Sequence, residues 1–327
     1  MLFRLMNYFR LVLLCTVVML SACKNRKVTD DILSDQTASG TLTAEVYNDS
    51  ARLLLTSNRI NEALSAINKA LTLDADNPEL FVTLSDIYLG MNNPAKAKEA
   101  LNKATDLDPL DPVPWFKQGY LHLVLQDHSL AREYLKKAAA LRPVYPEASF
   151  HLGLSYLETG DTNQAVEAFQ TAVLQDQQYR DAFIMLGSIM SERNPEVAAG
   201  YYQNAIRIDS TDTQVQYNLG MLYQESGDDA RATDMYQRIL AIDSSYFPAS
   251  YNLGYIYLVK QENYREAIRF FDHTLRMNPS YVDAMYNRGL CYEILNEKAR
   301  AQRDYQEALR LSPNYPRAVE GMNRLDD

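Results

Sequence analysis

The chain has little with which to do chemistry. Its 327 residues include three cysteines, four histidines and one tryptophan. Cys15, Cys23 and Cys291 are too few and too scattered for a disulfide framework or a metal cluster. His122, His128, His151 and His273 never pair at the spacing that puts two ligands on one helix face. There is no G-x-S-x-G elbow, no phosphate-cradling glycine loop and no H-E-x-x-H helix. These absences argue against an enzyme, a metal site and a cofactor. Positive charge is also short, with 32 Lys and Arg against 42 Asp and Glu, a net charge of −10. Such a balance does not suit a nucleic-acid partner. The one long apolar run, residues 11–20, is too short to span a bilayer comfortably.

What the chain does have is a period. Ser85, Gly119, Gly153, Gly187, Gly220, Gly254 and Gly289 follow one another at intervals of 34, 34, 34, 33, 34 and 35 residues. Self-similarity at this period means a solenoid of stacked units, which leaves no stretch for a separate catalytic domain. Counting each unit from seven residues before the small one, the starts are Pro78, Pro112, Pro146, Arg180, Thr213, Phe247 and Val282, with a weaker unit from Ala44. Large or apolar residues recur at unit positions 4, 7 and 11, as Trp115, Leu152 and Tyr156 show. With the small residue at 8 they make one helix face. Alanine, an aromatic or Leu, and alanine recur at positions 20, 24 and 27, as in Ala165, Phe169 and Ala172, and make the face of a second helix. Gly160-Asp161, Gly227-Asp228, Asn93-Pro94 and Asn194-Pro195 mark the turns between the two. The 33- and 35-residue units change length near Asn194-Pro195 and Gln261-Glu262-Asn263, in turns that absorb such changes.

This pattern resembles the tetratricopeptide repeat (TPR) family over residues 44–315. Departures are Ser85 in the small slot, His122 and Met190 in the Tyr slot, and Ile239 and Thr274 in the second Ala slot. The resemblance implies an all-α, right-handed α-solenoid of about eight helix pairs. Their units are 44–77, 78–111, 112–145, 146–179, 180–212, 213–246, 247–281 and 282–315. Residues 316–327, with Val319, Met322 and Leu325 on one side, read as a capping helix.

The N-terminus is a different object. Arg4 and Arg10 precede the apolar run, which leads into Leu20-Ser21-Ala22-Cys23. That sequence resembles the lipobox of bacterial lipoproteins. The resemblance implies a signal peptide over 1–22, acylation of Cys23 and a flexible tether over 23–43. The alternatives are a plain signal peptide or an uncleaved anchor, with Cys23 incidental. Several acyl chains hold a protein to a membrane where one is marginal. Cleavage would remove two arginines and no acid, taking the net charge from −10 to −12, so the lipid rather than charge would do the anchoring. A tether of about 20 residues spans roughly 25 Å. Lys24, where enteric lipoproteins retained at the inner membrane carry Asp, leans toward the outer membrane. Cys291, alone in its helix, reads as a small core residue.

In TPR proteins the first helix of each pair lines a concave groove. The resemblance places there Phe116, Lys117 and Tyr120; Phe150 and His151; Tyr217 and Asn218; Tyr251, Asn252 and Tyr255; and Tyr286 and Asn287. Amides recurring at Asn218, Asn252 and Asn287 would grip an extended peptide backbone, with tyrosines as anchors. The alternative is that Tyr and Asn simply suit the repeat. Only Arg52 and Lys117 are basic there, against Glu79, Asp86, Glu147, Glu158, Asp181, Glu192, Glu225, Asp283 and Glu293. That balance speaks against a clamp for a carboxylate terminus and for apolar ligands with basic residues. The expectation is a membrane-anchored scaffold that binds an envelope protein or peptide. Type IV pilus assembly factors and adaptors for cell-wall hydrolases share this plan. The alternative is a glycan- or cell-wall-binding lipoprotein using tyrosine platforms.

Overall fold

The structure is a computed structural model and describes residues 43–326. The expected signal peptide, Cys23 and most of the tether lie outside the described residues. Among those described there are helices and no strands. They are α1 (Ala44–Thr56), α2 (Ile60–Leu73), α3 (Pro78–Gly90), α4 (Pro94–Leu107), α5 (Pro112–Val124), α6 (His128–Leu141), α7 (Pro146–Glu158), α8 (Thr162–Gln175) and α9 (Arg180–Met190). Then come α10 (Pro195–Ile208), α11 (Thr213–Glu225), α12 (Asp229–Ile242), α13 (Phe247–Val259), α14 (Tyr264–Met277), α15 (Val282–Ile294), α16 (Lys298–Leu311) and α17 (Pro316–Asp326). Every odd-numbered helix from α1 to α15 begins at the residue from which the sequence period counts its unit. None of the helices is long and apolar enough to cross a membrane.

The chain divides into two compact units, one up to Ala182 and one from Phe183. In each, pairing is local: a first helix packs on the second helix of its own repeat, and that second helix packs on the next first helix. Asparagine and aspartate side chains start most second helices. Asn93, Asp127, Asp161, Asn194, Asp228 and Asn263 each accept a backbone N–H three residues on. The turn before them needs one left-handed residue, supplied by Asn92, Gln126, Gly160, Gly227, Glu262 and Asn296. The fifth repeat, one residue short, closes its turn at 191–194 without one.

The core explains the period. The alanines at positions 20 and 27 are fully buried wherever they occur, as are Ile239 and Thr274 in their place. The small residue at position 8 makes room for the large side chain at position 24, a ring in most repeats and Leu135 opposite Gly119. A Cβ on Gly153 would lie 2.5 Å from the Phe169 ring, and one on Gly220 would lie 2.8 Å from Tyr236. Where the second helix offers Leu101 rather than a ring, Ser85 fits and stays wholly buried, its hydroxyl donating to the Val82 carbonyl at 2.7 Å. Arg288 and Gln118 occupy the Leu slot at position 7 and bring their own partners. Arg288 donates to both Asp304 oxygens (2.8 and 2.6 Å) and to Asp272 (2.7 Å), tying the last two repeats. Gln118 reaches Thr105 of the preceding repeat at 3.5 Å. Cys291 is fully buried, and burial pushes its thiol up to about 12, so it is the core residue expected.

Candidate binding face of the first helices

The rings at unit position 5 meet a tyrosine that ends the unit. Phe116 packs on Tyr145, with ring centroids 5.1 Å apart, and Phe150 packs on Tyr179 at 5.2 Å. In the second unit Tyr217 packs on Tyr246 (5.6 Å), Tyr251 on Tyr281 (4.9 Å) and Tyr286 on Tyr315 (5.9 Å). Where position 5 is Ile184, the residue ending that unit is Asp212 and no ring stands there. These tyrosines are a packing set that column-by-column reading of the repeat passed over, although their recurrence one residue before α7, α9, α13, α15 and α17 is visible in the sequence.

The amides belong to the same lock. Asn252 Nδ2 donates to the Tyr217 hydroxyl (3.2 Å) and Asn287 Nδ2 donates to the Tyr251 hydroxyl (3.1 Å). Each bond runs from one repeat back to the one before it. Asn218 accepts from Gln214 at 3.1 Å. Asn218, Asn252 and Asn287 are all buried. The expectation that they grip a peptide backbone is therefore corrected: these amides are withdrawn from solvent and already bonded within the fold. Phe150 is corrected likewise, being a core ring against Phe169 and Tyr179. Burial raises the hydroxyls of Tyr217, Tyr251 and Tyr246, the last to about 12, so all three are neutral donors and acceptors.

The remaining candidates fall into two groups, one in each unit. In the first unit Phe116 and Tyr120 of α5 and His151 of α7 are half-buried and touch, with His151 edge-on to Phe116 at 5.3 Å and to Tyr120 at 5.5 Å. Lys117 holds both Asp86 oxygens at 2.9 Å and is an inter-repeat tie. Its ammonium is therefore already paired. In the second unit Tyr286 lies between Tyr305 and Tyr315. Tyr255 is the open one, 37% exposed, and the apolar Val259 and Ile294 beside its row are each 47% exposed. Val259 and Ile294 sit at position 13, and their apolar character at an outward-reaching position was the signal for them. Helix α13 carries no charged residue at all.

Paired helices repeating at this period, with a small residue of the first helix set against a large side chain of the second, define an α-solenoid built from TPR helix pairs with a closing C-terminal helix. Tetratricopeptide repeat family models match residues 116–183 and 249–316, residues 54–115 and residues 214–243. The chain belongs to the tetratricopeptide repeat family. Among solved structures it is similar to the C-terminal part of a TPR repeat-containing protein from Cytophaga hutchinsonii. That match is 19% identical, covers 73% of this chain and 98% of that one, and has a TM-score of 0.63. It is also similar to pilF of Pseudomonas aeruginosa, at 18% identity over 62% of this chain and 92% of that one, with a TM-score of 0.55. No curated protein matches it. TPR folds commonly bind protein or peptide partners, and no enzyme family is indicated.

Proposed function

We propose that the chain is a non-catalytic adaptor of a bacterial envelope, lipid-anchored through Cys23, with the outer membrane favoured, and that it binds an envelope protein through the first-helix faces of its repeats. The observation that carries the binding part is the open apolar row of Tyr255, Val259 and Ile294, set beside rings and amides that the fold already uses. Apolar side chains left in water at adjacent repeats suit a partner that covers them. The glycan alternative needs free tyrosine faces, and Tyr217, Tyr251 and Tyr286 each pack on another ring.

Both parts are tested in one strain. Cys23→Ser should abolish labelling by a palmitate analogue and release the protein from the membrane fraction. Unchanged labelling would refute the anchor. Crosslinked capture from envelopes should yield a partner with the wild-type chain and lose it when Tyr255, Val259 and Ile294 all become Ser. Retention of that partner by the triple variant would refute the face. Substituting Tyr217, Asn218, Tyr251 and Asn252 would not serve, because these side chains hold the repeats together.

A further inference from the structure

We propose that the first-helix face of the unit up to Ala182 carries a receptor for a basic side chain of the partner, arginine before lysine, built by Phe116, Tyr120, His151 and Glu147. The inference rests on the protein-binding reading above and supplies its chemistry.

The charge on this face selects the sign. Helices α1, α3, α5 and α7 carry Glu45, Asp49, Glu79, Asp86, Glu147 and Glu158 against Arg52 and Lys117. Both bases are held by acids of the neighbouring repeat. Arg52 sits 2.8 Å from Glu79, and Lys117 sits 2.9 Å from Asp86. Neither base is left to balance the remaining carboxylates; of the neighbouring cations, Arg142 stacks on the Tyr145 ring at 4.6 Å and Arg180 of α9 lies 3.7 Å from Asp181. A positively charged partner group gains there, and a carboxylate does not.

The aromatic cluster selects the shape. Phe116 and Tyr120 stand one turn apart on α5, and His151 leans edge-on to both. All three keep part of their surface in water. His151 Nδ1 lies 2.7 Å from the Glu147 carbonyl, which can only accept, so Nδ1 carries the hydrogen. Burial lowers the ring's proton affinity and favours the neutral form, in which Nε2 is an acceptor. Burial and then Asp86 raise the Tyr120 hydroxyl, which keeps it neutral too. Glu147, one turn before His151, holds its carboxylate in water. Two part-exposed aromatic rings, an imidazole acceptor and a carboxylate together match a planar cation that packs on rings and donates several hydrogen bonds, which describes a guanidinium better than an ammonium. In the last repeat of the second unit the corresponding acids are already used. Glu293 is taken by Arg324 and Tyr305, and Asp283 accepts from Tyr315.

The test uses the full chain, purified in detergent and immobilised. The probe is a short acetylated and amidated peptide of Leu, Ser and Gly around one Arg, beside copies with citrulline, Lys or Glu in that place. The Arg peptide should bind about tenfold more tightly than its citrulline isostere. Glu147→Gln and His151→Asn should each reduce that preference. The second variant should keep the fold, since Asn, although Phe116 offers it no hydroxyl, fits the same repeat position at 218, 252 and 287. Melting curves of both variants would verify that. Equal binding of Arg and citrulline peptides, a preference that survives both variants, or no binding of the Arg peptide would overturn the inference. Failure of the wider protein-binding reading would show separately, as absence of any crosslinked partner in the envelope capture.

Discussion

Gly153 and Gly200 are both helical glycines, and the structure gives them opposite meanings. Gly153 faces the Phe169 ring across the helix pair, with no room for a Cβ. A Cβ at Gly200 meets nothing within 4 Å. Gly153→Ala should therefore destabilise its repeat by about 1–3 kcal/mol through overpacking. Gly200→Ala should stabilise its own by about 0.5–1 kcal/mol through helix propensity. Amide exchange of the two repeats reads both effects, and a loss of protection in both would contradict the assignment. The period marked Gly153 but not its partner's size. That Gly153 faces Phe169 and Gly119 faces Leu135 became visible only when positions 8 and 24 were read as a pair.

At the scale of the element, repeats are joined by a lock of ring, tyrosine and amide. The locked side chains were legible in the sequence as recurring letters, and their function was not. A repeat alignment compares each column with itself, whereas these contacts join position 6 of one repeat to position 5 of the repeat before it. Tyr217→Phe tests the lock without disturbing the ring stack. It removes the Asn252 amide's bond to the Tyr217 hydroxyl and leaves it the Met221 sulfur, 3.3 Å away, and the Tyr236 hydroxyl. A cost of about 1 kcal/mol is expected, local to α11–α13. Exchange protection falling evenly across the whole second unit would argue against a nearest-neighbour lock.

The closing helix α17 is fastened differently. Arg324 holds both oxygens of Glu293 at 2.8 and 2.9 Å, and the Tyr305 hydroxyl donates to the same carboxylate. The Arg324 guanidinium first, then that hydroxyl, keeps Glu293 below its ordinary value of 4.5. A carboxyl with a depressed folded value stabilises above its unfolded pKa and loses that contribution as pH falls through the folded one. The cap should therefore fray ahead of the repeats below about pH 4. Exchange of the α17 amides should show this, and Arg324→Ala should erase the acid step. A step that persists in the variant would place its origin elsewhere.

At the scale of the whole molecule, the 34-residue period and the family resemblance it carries already pointed to a binding scaffold. The period gave the repeat count and helix starts, because a solenoid writes its geometry into nearest-neighbour spacing. The binding face was less legible. Whether a first-helix side chain is open or locked depends on the repeat that stacks against it, which the period alone does not reveal. Phe150 and Asn252 share a helix class with Tyr255, yet only Tyr255 is left to the solvent. Stability in such a chain is local, so binding at one repeat need not reorganise distant ones.

The most direct measurement is site-specific photocrosslinking in intact cells. A photoreactive phenylalanine is placed at Tyr255 on α13 or, as the comparison, at Arg303 on the second helix α16, which is exposed. An adaptor that uses its first-helix faces predicts a discrete protein adduct from position 255 and none from position 303. An adduct from 303 alone would contradict the account and move the interface to the second helices.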